Sequence, residues 1–212
     1  MEIIEFGNAD ATTVLIQPID KHDRSLIEKE IDLIRESVSA DFRLVAFVTD
    51  DWNNDLSPWE APAVFGKDGF GGGAGKTLQE IISYCDDKTK TYYIGGYSLA
   101  GLFALWAAYR TDVFKGVAAA SPSVWFPGFT DHIGEKKPGC ERVYLSLGDK
   151  EEKTRNEVMS TIGTKIRLTY KLLSSQGVDC VLEWNEGNHF KDPHIRTAKA
   201  FSWLIGKRDK DE

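Results

Sequence analysis

Residues 91–104 read TYYIGGYSLAGLFA. Tyr92 to Ile94 are β-formers, Gly95 and Gly96 break the run, and Leu99 opens a stretch of Leu, Phe, Ala and Trp that suits a buried helix through Tyr109. Strand, Gly96-Tyr97-Ser98-Leu99-Ala100, helix is the order of a small-x-Ser-x-small elbow. At such an elbow the serine backbone is strained, its hydroxyl stands above the sheet edge, and strand and helix pass so closely that the flanking residues must be small. Gly95, Gly96, Ala100 and Gly101 meet that demand. The hydroxyl also lies at a helix start, where backbone N–H groups favour developing negative charge. The plainer alternative is a tight turn around an inert serine.

On both sides of the elbow, strand and helix patterns alternate. Thr12–Gln17 is a short strand that Pro18 and Asp20 are expected to end. Asp23 then precedes a helix whose stripe includes Leu26, Ile27, Glu30, Ile31, Ile34 and Val38. Arg43–Thr49, Gly116–Ala120, Val143–Leu147 and Cys180–Trp184 read as strands, and Lys76–Cys85, Glu157–Ser175 and His194–Ile205 as helices. Glu2–Phe6 is a candidate edge strand. This alternation predicts an α/β fold, a mainly parallel sheet with helices on both faces. With 212 residues, and without repeats or a linker, residues 1–212 are expected to form a single domain. Residues 50–74, rich in Trp, Pro, Gly and Asp, are too long for a plain connector.

Composition narrows the function. Apolar residues make up 42% and charged residues 28%, which fits a globular protein. A net charge of −7 gives no support to a nucleic-acid partner. The mixed-sign tail, residues 207–212, reads as a solvated end. Cys85, Cys140 and Cys180 form no CxxC pair, so no metal site is expected, and MEIIEFGNAD has no leader-like pattern. A cytoplasmic protein that neither enters nor crosses a membrane is the expectation. One glycine-rich stretch misleads. GFGGGAGKT, residues 69–77, resembles a phosphate-binding loop, but Phe70 stands where the first glycine is required and no buried strand leads in.

A nucleophilic serine needs a base, and the base an orienting acid. His189, in WNEGNHF, follows the last strand and precedes the last helix. His22 and His132 fit inert loop positions better. After the strand RVYLSLG come Asp149, Glu151 and Glu152. The acid is expected in this group, with Glu151 and Asp149 the two leading candidates. An oxyanion would need two N–H donors: Leu99, after the serine, and Ile19 or Asp20 near the end of the first core strand, since Pro18 has no N–H. Trp52, Trp59 and Trp125 are candidate aromatic walls, and Tyr97 is a candidate substrate contact.

Three segments carry a resemblance: Gly96-Tyr97-Ser98-Leu99-Ala100-Gly101, Ala120-Ser121-Pro122-Ser123-Val124-Trp125 and Gly187-Asn188-His189-Phe190. They resemble the esterase branch of the α/β-hydrolases, which includes esterase D-like and enterochelin-esterase-like enzymes. The resemblance implies a compact three-layer α/β-hydrolase fold with little or no lid. It implies the chain order Ser98, acid, His189, with Trp125 beside the nucleophile. It implies hydrolysis of an ester or thioester without metal or organic cofactor. A non-catalytic binding protein, an acyltransferase or a peptidase on the same residues is the alternative.

Overall fold

The computed structural model describes residues 1–134 and 136–206, so the tail read as a solvated end lies outside the described residues. Seven strands form one sheet in the order β1-β3-β2-β6-β7-β8-β9. They are β1 (Glu2–Gly7), β2 (Thr13–Asp20), β3 (Arg43–Thr49), β6 (Thr91–Tyr97), β7 (Phe114–Ala120), β8 (Arg142–Gly148) and β9 (Asp179–Asn185). Only β1 runs antiparallel to its neighbour. The small pair β4 (Glu60–Ala61) and β5 (Phe70–Gly71) stands apart from it.

Helices cover both faces, and period-two alternation in the strands decides which residues meet them. Leu15 and Ile19 of β2, with Leu44, Ala46 and Val48 of β3, pack with α1 (Arg24–Ser37) and α7 (Pro193–Ile205). Val14 and Ile16, with Val45 and Phe47, face the other side. There they meet α3 (Ala74–Tyr84) and α4 (Leu99–Ala108); α6 (Ile162–Ser175) joins the same cluster. All ten residues of α4 are buried, which explains a composition apolar on every side.

Two boundaries differ from the sequence reading for physical reasons. Pro18 does not end β2, which continues in register with β3 to Asp20. β6 pairs with β2 only as far as Ile16, so beyond it β2 has a partner on one side alone, a setting that tolerates a missing N–H. The helix expected from Glu157 instead starts with a 3₁₀ turn over Met159–Thr161. Asn156 accepts the Met159 N–H at 3.0 Å and donates to the Val64 carbonyl at 2.5 Å, pinning the preceding chain to the 50–74 segment.

That segment is folded. α2 (Trp52–Asp55) is capped by the Asp51 side chain on the Asn54 N–H, and the Asn54 carbonyl receives the Gly73 N–H at 2.8 Å. A Cβ at Gly71 or Gly73 would sit 2.1 or 2.7 Å from Asn54 side-chain atoms. Close passage of α2 therefore accounts for these glycines.

The elbow occupies the middle of the sheet. A Cβ on Gly95 would lie 2.6 Å from Ala118 and 2.7 Å from the Phe201 ring, and one on Gly96 would lie 2.6 Å from the Ala100 methyl. Gly95→Val is expected to lower stability by about 2 kcal/mol or more, because it overpacks a junction with backbone on one side. A urea midpoint unchanged from the parent would contradict this account of the small residues.

Candidate active site

Ser98 sits between β6 and α4 at φ +56° and ψ −117°, a strained conformation for a residue with a Cβ. Ladder and helix hold it there. Its N–H donates to the Ala120 carbonyl at 3.1 Å, and its own carbonyl accepts the N–H groups of Leu102 and Ser123 at 3.1 and 3.0 Å. The hydroxyl stands 3.0 Å from Nε2 of His189 and 3.2 Å from the Ser123 hydroxyl.

His189 arrives on the loop after β9. Its Nδ1 is 2.7 Å from Oε2 of Glu151. Of the two leading acid candidates, Glu151 thus meets the imidazole. Asp149 instead accepts the Gly187 N–H at 2.7 Å and so ties the β8 loop to the histidine loop. The third carboxylate of the group, Glu152, pairs with Arg167. The glycine ending β8 sets this register. The Glu151 N–H donates to the Gly148 carbonyl, and the Gly148 N–H returns to Glu151 Oε1 at 2.7 Å. A Cβ at position 148 would lie 2.3 Å from the Gly187 carbonyl oxygen, so the two loops could not close around a larger residue.

Arg196, on α7, was not singled out from sequence. Its side chain is 2% exposed. Nη1 donates to Glu151 Oε1 at 2.7 Å, to the Ser121 hydroxyl at 3.0 Å and to the Tyr97 hydroxyl at 3.1 Å. Nη2 donates to the carbonyls of Glu186 and Asn188 at 3.2 and 3.0 Å. Tyr97 completes the cradle by donating to the His189 carbonyl at 2.7 Å. No local motif marks such a residue, because three of its five partners, Tyr97, Ser121 and Glu151, lie 45 or more residues away. Ser123 is different: it lies inside the quoted segment Ala120-Ser121-Pro122-Ser123-Val124-Trp125, one of the three that carry the resemblance.

Burial alone would raise the Glu151 carboxyl. The hydrogen bond and charge of His189, the Gly148 N–H and the Ser121 hydroxyl outweigh burial and hold it below the usual carboxylate range. An ionised carboxylate on Nδ1 fixes the imidazole so that Nε2 faces the serine as an acceptor. A hydroxyl so placed can give up its proton as it attacks an electrophile.

Two cavities flank this line and share His189 and Phe190 on their walls. One, of about 260 Å³, is bounded by Ile19, Trp52, Tyr97 and Ser98 and extends to Gln17 and Glu30. The other, of about 150 Å³, holds Trp125, Lys150, Lys153 and Glu151. Leu99 is the first residue of α4, where N–H groups have no acceptor within the helix. Asp20 does not line either cavity; its carboxylate accepts the His22 N–H. Trp59 is also displaced from the site. It donates to the Pro127 carbonyl and packs edge-on against Phe126 and His132.

Comparison with known proteins agrees with this architecture. The crystal structure of an IroE-like serine hydrolase from Shewanella oneidensis superposes with a TM-score of 0.74 at 15% identity, covering 95% of this chain and 74% of that one. The siderophore hydrolase EstA from Aspergillus nidulans gives 0.67 at 20% identity, over 93% and 84% of the two chains. The chain has the α/β-hydrolase fold. In sequence it is 22% identical to the uncharacterized protein YbbA of Bacillus subtilis, across 86% of this chain and 82% of that one. No protein-family model matches. Among the described residues no cluster of three or more His, Cys, Asp or Glu could hold a metal ion, and no helix is long and apolar enough to cross a membrane.

Arg196→Met keeps an unbranched apolar stem and removes the guanidinium with its charge and donors. It is expected to cost about 3 kcal/mol, since it leaves a buried carboxylate and two carbonyls short of partners. Glu151 is held below its ordinary value, so what its ionised form contributes is present at neutral pH and fades as pH falls through the acid range. The gap between parent and variant in urea titrations should therefore narrow on acidification. An equal gap at acid and neutral pH would show that Arg196 acts through packing alone.

Proposed function

We propose that this protein is a serine hydrolase that cleaves a carboxylic ester or thioester through an acyl-enzyme intermediate, using Ser98, His189 and Glu151. The observation that carries the reading is the line of contacts from the Ser98 hydroxyl to His189 at 3.0 Å and on to Glu151 at 2.7 Å, mounted on a strained elbow. The structural neighbours named as serine hydrolases and as a siderophore hydrolase lend it support.

In this mechanism Ser98 Oγ attacks the acyl carbonyl while His189 Nε2 takes its proton. Glu151 steadies the resulting imidazolium, and Arg196 keeps that carboxylate in place without touching the reacting atoms. The Leu99 N–H, at the helix start, receives the oxyanion, with a second N–H from the end of β2, where Asp20 rather than Ile19 turns its backbone toward the β6 side. His189 returns the proton to the departing alcohol or thiol. A water then gives its proton to His189 and attacks the acyl carbon; the acyl–Oγ bond breaks as His189 returns that proton to Ser98, releasing the acid. Trp125 and Tyr97 bound the space beside the nucleophile. Residues 1–212 act as one domain in this reading.

Ser98→Ala is expected to abolish cleavage of short p-nitrophenyl esters, and labelling by a fluorophosphonate, with the circular dichroism spectrum unchanged. Activity above a few per cent of the parent would sink the proposal, because loss of a nucleophile costs several orders of magnitude.

Glu151→Gln is expected to lower kcat by about 10³ or more, and Asp149→Asn by much less, because an amide on Nδ1 favours the wrong tautomer. Steady-state kinetics on both single variants decide between them. If Asp149→Asn is the more damaging, the acid has been misassigned.

A further inference from the structure

The larger cavity ends in polar groups that the hydrolytic mechanism does not use. Gln17 lies on β2 between Leu15 and Ile19, on the sheet face that α1 covers. Glu30 occupies the buried stripe of α1 among Ile27, Ile31 and Ile34. The two side chains are 5% and 2% exposed, and Gln17 Nε2 donates to Glu30 Oε2 at 3.3 Å. That bond leaves Gln17 Oε1 and Glu30 Oε1, and both are shielded oxygens with no hydrogen-bond partner. Across the same cavity His194 Nδ1 is also without a partner.

A buried acceptor without a donor is destabilising, and one apolar residue at each position would remove the penalty. Three such atoms, on residues that line one cavity next to Ser98, make sense if a ligand entering that cavity brings the donors. The charge balance says which donors. Two carboxyls, Asp23 and Glu30, line this cavity and no lysine or arginine does. Trp52 adds an aromatic face that favours a cation, and the remaining wall is largely aliphatic or aromatic.

We propose that this cavity selects esters carrying a primary ammonium group on an apolar arm, with Glu30 and Gln17 accepting its N–H bonds. The inference rests on the hydrolase reading above and names the substrate class of the same site. An ammonium has three donors and no acceptor, which suits two unpaired oxygens and an imidazole nitrogen. It also supplies the positive charge that a fully buried carboxylate needs.

The protonation of Glu30 gives the site a signature. Burial pushes its carboxyl up to about 8; the Gln17 hydrogen bond opposes that rise and the charge of Asp23 adds to it. Asp23 is itself raised, first by burial and then by Asp20. His189 and His194 also line the cavity. An ammonium favours the ionised Glu30, so binding below about pH 8 releases a proton.

The test has two arms. In the first, pentylamine and 1-pentanol are titrated into the intact protein by calorimetry. Pentylamine should bind on the order of tenfold more tightly, the size expected when a bond gains a charged partner. Its affinity should rise as pH approaches about 8, and the preference should collapse in Glu30→Gln. In the second arm, p-nitrophenyl 5-aminopentanoate is compared with p-nitrophenyl hexanoate, and 5-aminopentyl hexanoate with hexyl hexanoate, so that the amine lies on either half of the ester. The amine should raise kcat/KM in one of the pairs, and Glu30→Gln should lower that ratio toward one. Equal binding of amine and alcohol would mean that ordered water alone fills the polar end, and would overturn the proposal. So would a preference that survives Glu30→Gln. If no ester is cleaved, the hydrolase reading fails and the calorimetric arm alone decides whether the cavity takes an ammonium.

Discussion

The buried ion pair between Arg196 and Glu151 is the contact on which the site depends. Each partner is nearly sealed from solvent, and neither could be buried alone without a large desolvation penalty. Three donors on Glu151 Oε1 and five acceptors for the guanidinium repay that penalty. Several loops must therefore be in place together. The end of β7 presents Ser121, the turn after β8 presents Glu151, the loop after β9 presents two carbonyls, and α7 presents the arginine. An arrangement that placed only some of them would leave a charge unpaired, so the site is assembled as a unit.

That dependence explains where the chain accepts strain. Ser98 and Ser121 both have positive φ, at +56° and +42°. Each lies at the end of a central strand and each is fixed by a ladder bond to its neighbour: Ser98 N–H to Ala120, Ser121 N–H to Ser146. Strain of a few kcal/mol persists only where the surroundings over-determine the backbone. Here parallel register supplies that constraint, and the fully buried α4 anchors the elbow from the other side. Ser98, His189 and Glu151 then come from the same ends of β6, β9 and β8, as parallel strands require.

Much of this was legible in the sequence because its signals are local. Small residues around Ser98 and period-two strands with intervening amphipathic helices each depend on neighbours a few positions apart. The spacing from Gly148 to Glu151 was legible too, as a ranking that left Asp149 open; only the fold of the β8 turn showed which carboxylate faces His189. Arg196 was not legible, because its partners Tyr97, Ser121 and Glu151 come from distant segments that only the fold brings together. Trp59 misled for a related reason: a tryptophan in a loop of 25 residues can face a cavity or a neighbouring turn, and sequence does not distinguish them. Pro18 misled because a proline reads as a strand end, whereas β6 stops short beside it and leaves no ladder partner for the missing N–H.

Glu30 shows what a helical stripe conceals. In sequence it falls in line with isoleucines on the stripe of the first helix. In the fold it is buried against Gln17 of β2. A core position of that kind would be better filled by leucine if stability were its only duty, since burial of a carboxyl without a cation is costly and packing would gain. The neighbouring isoleucines show that the same helix face packs well with apolar residues. The carboxyl instead lies on the wall of the cavity that also contains Ser98, while the charges needed to hold Glu151 are gathered on the opposite side of His189. The two buried acids are thus treated in opposite ways. Glu151 is saturated with donors and fixed as a carboxylate. Glu30 is left with an open oxygen and a raised carboxyl, so its charge is free to follow what enters the cavity.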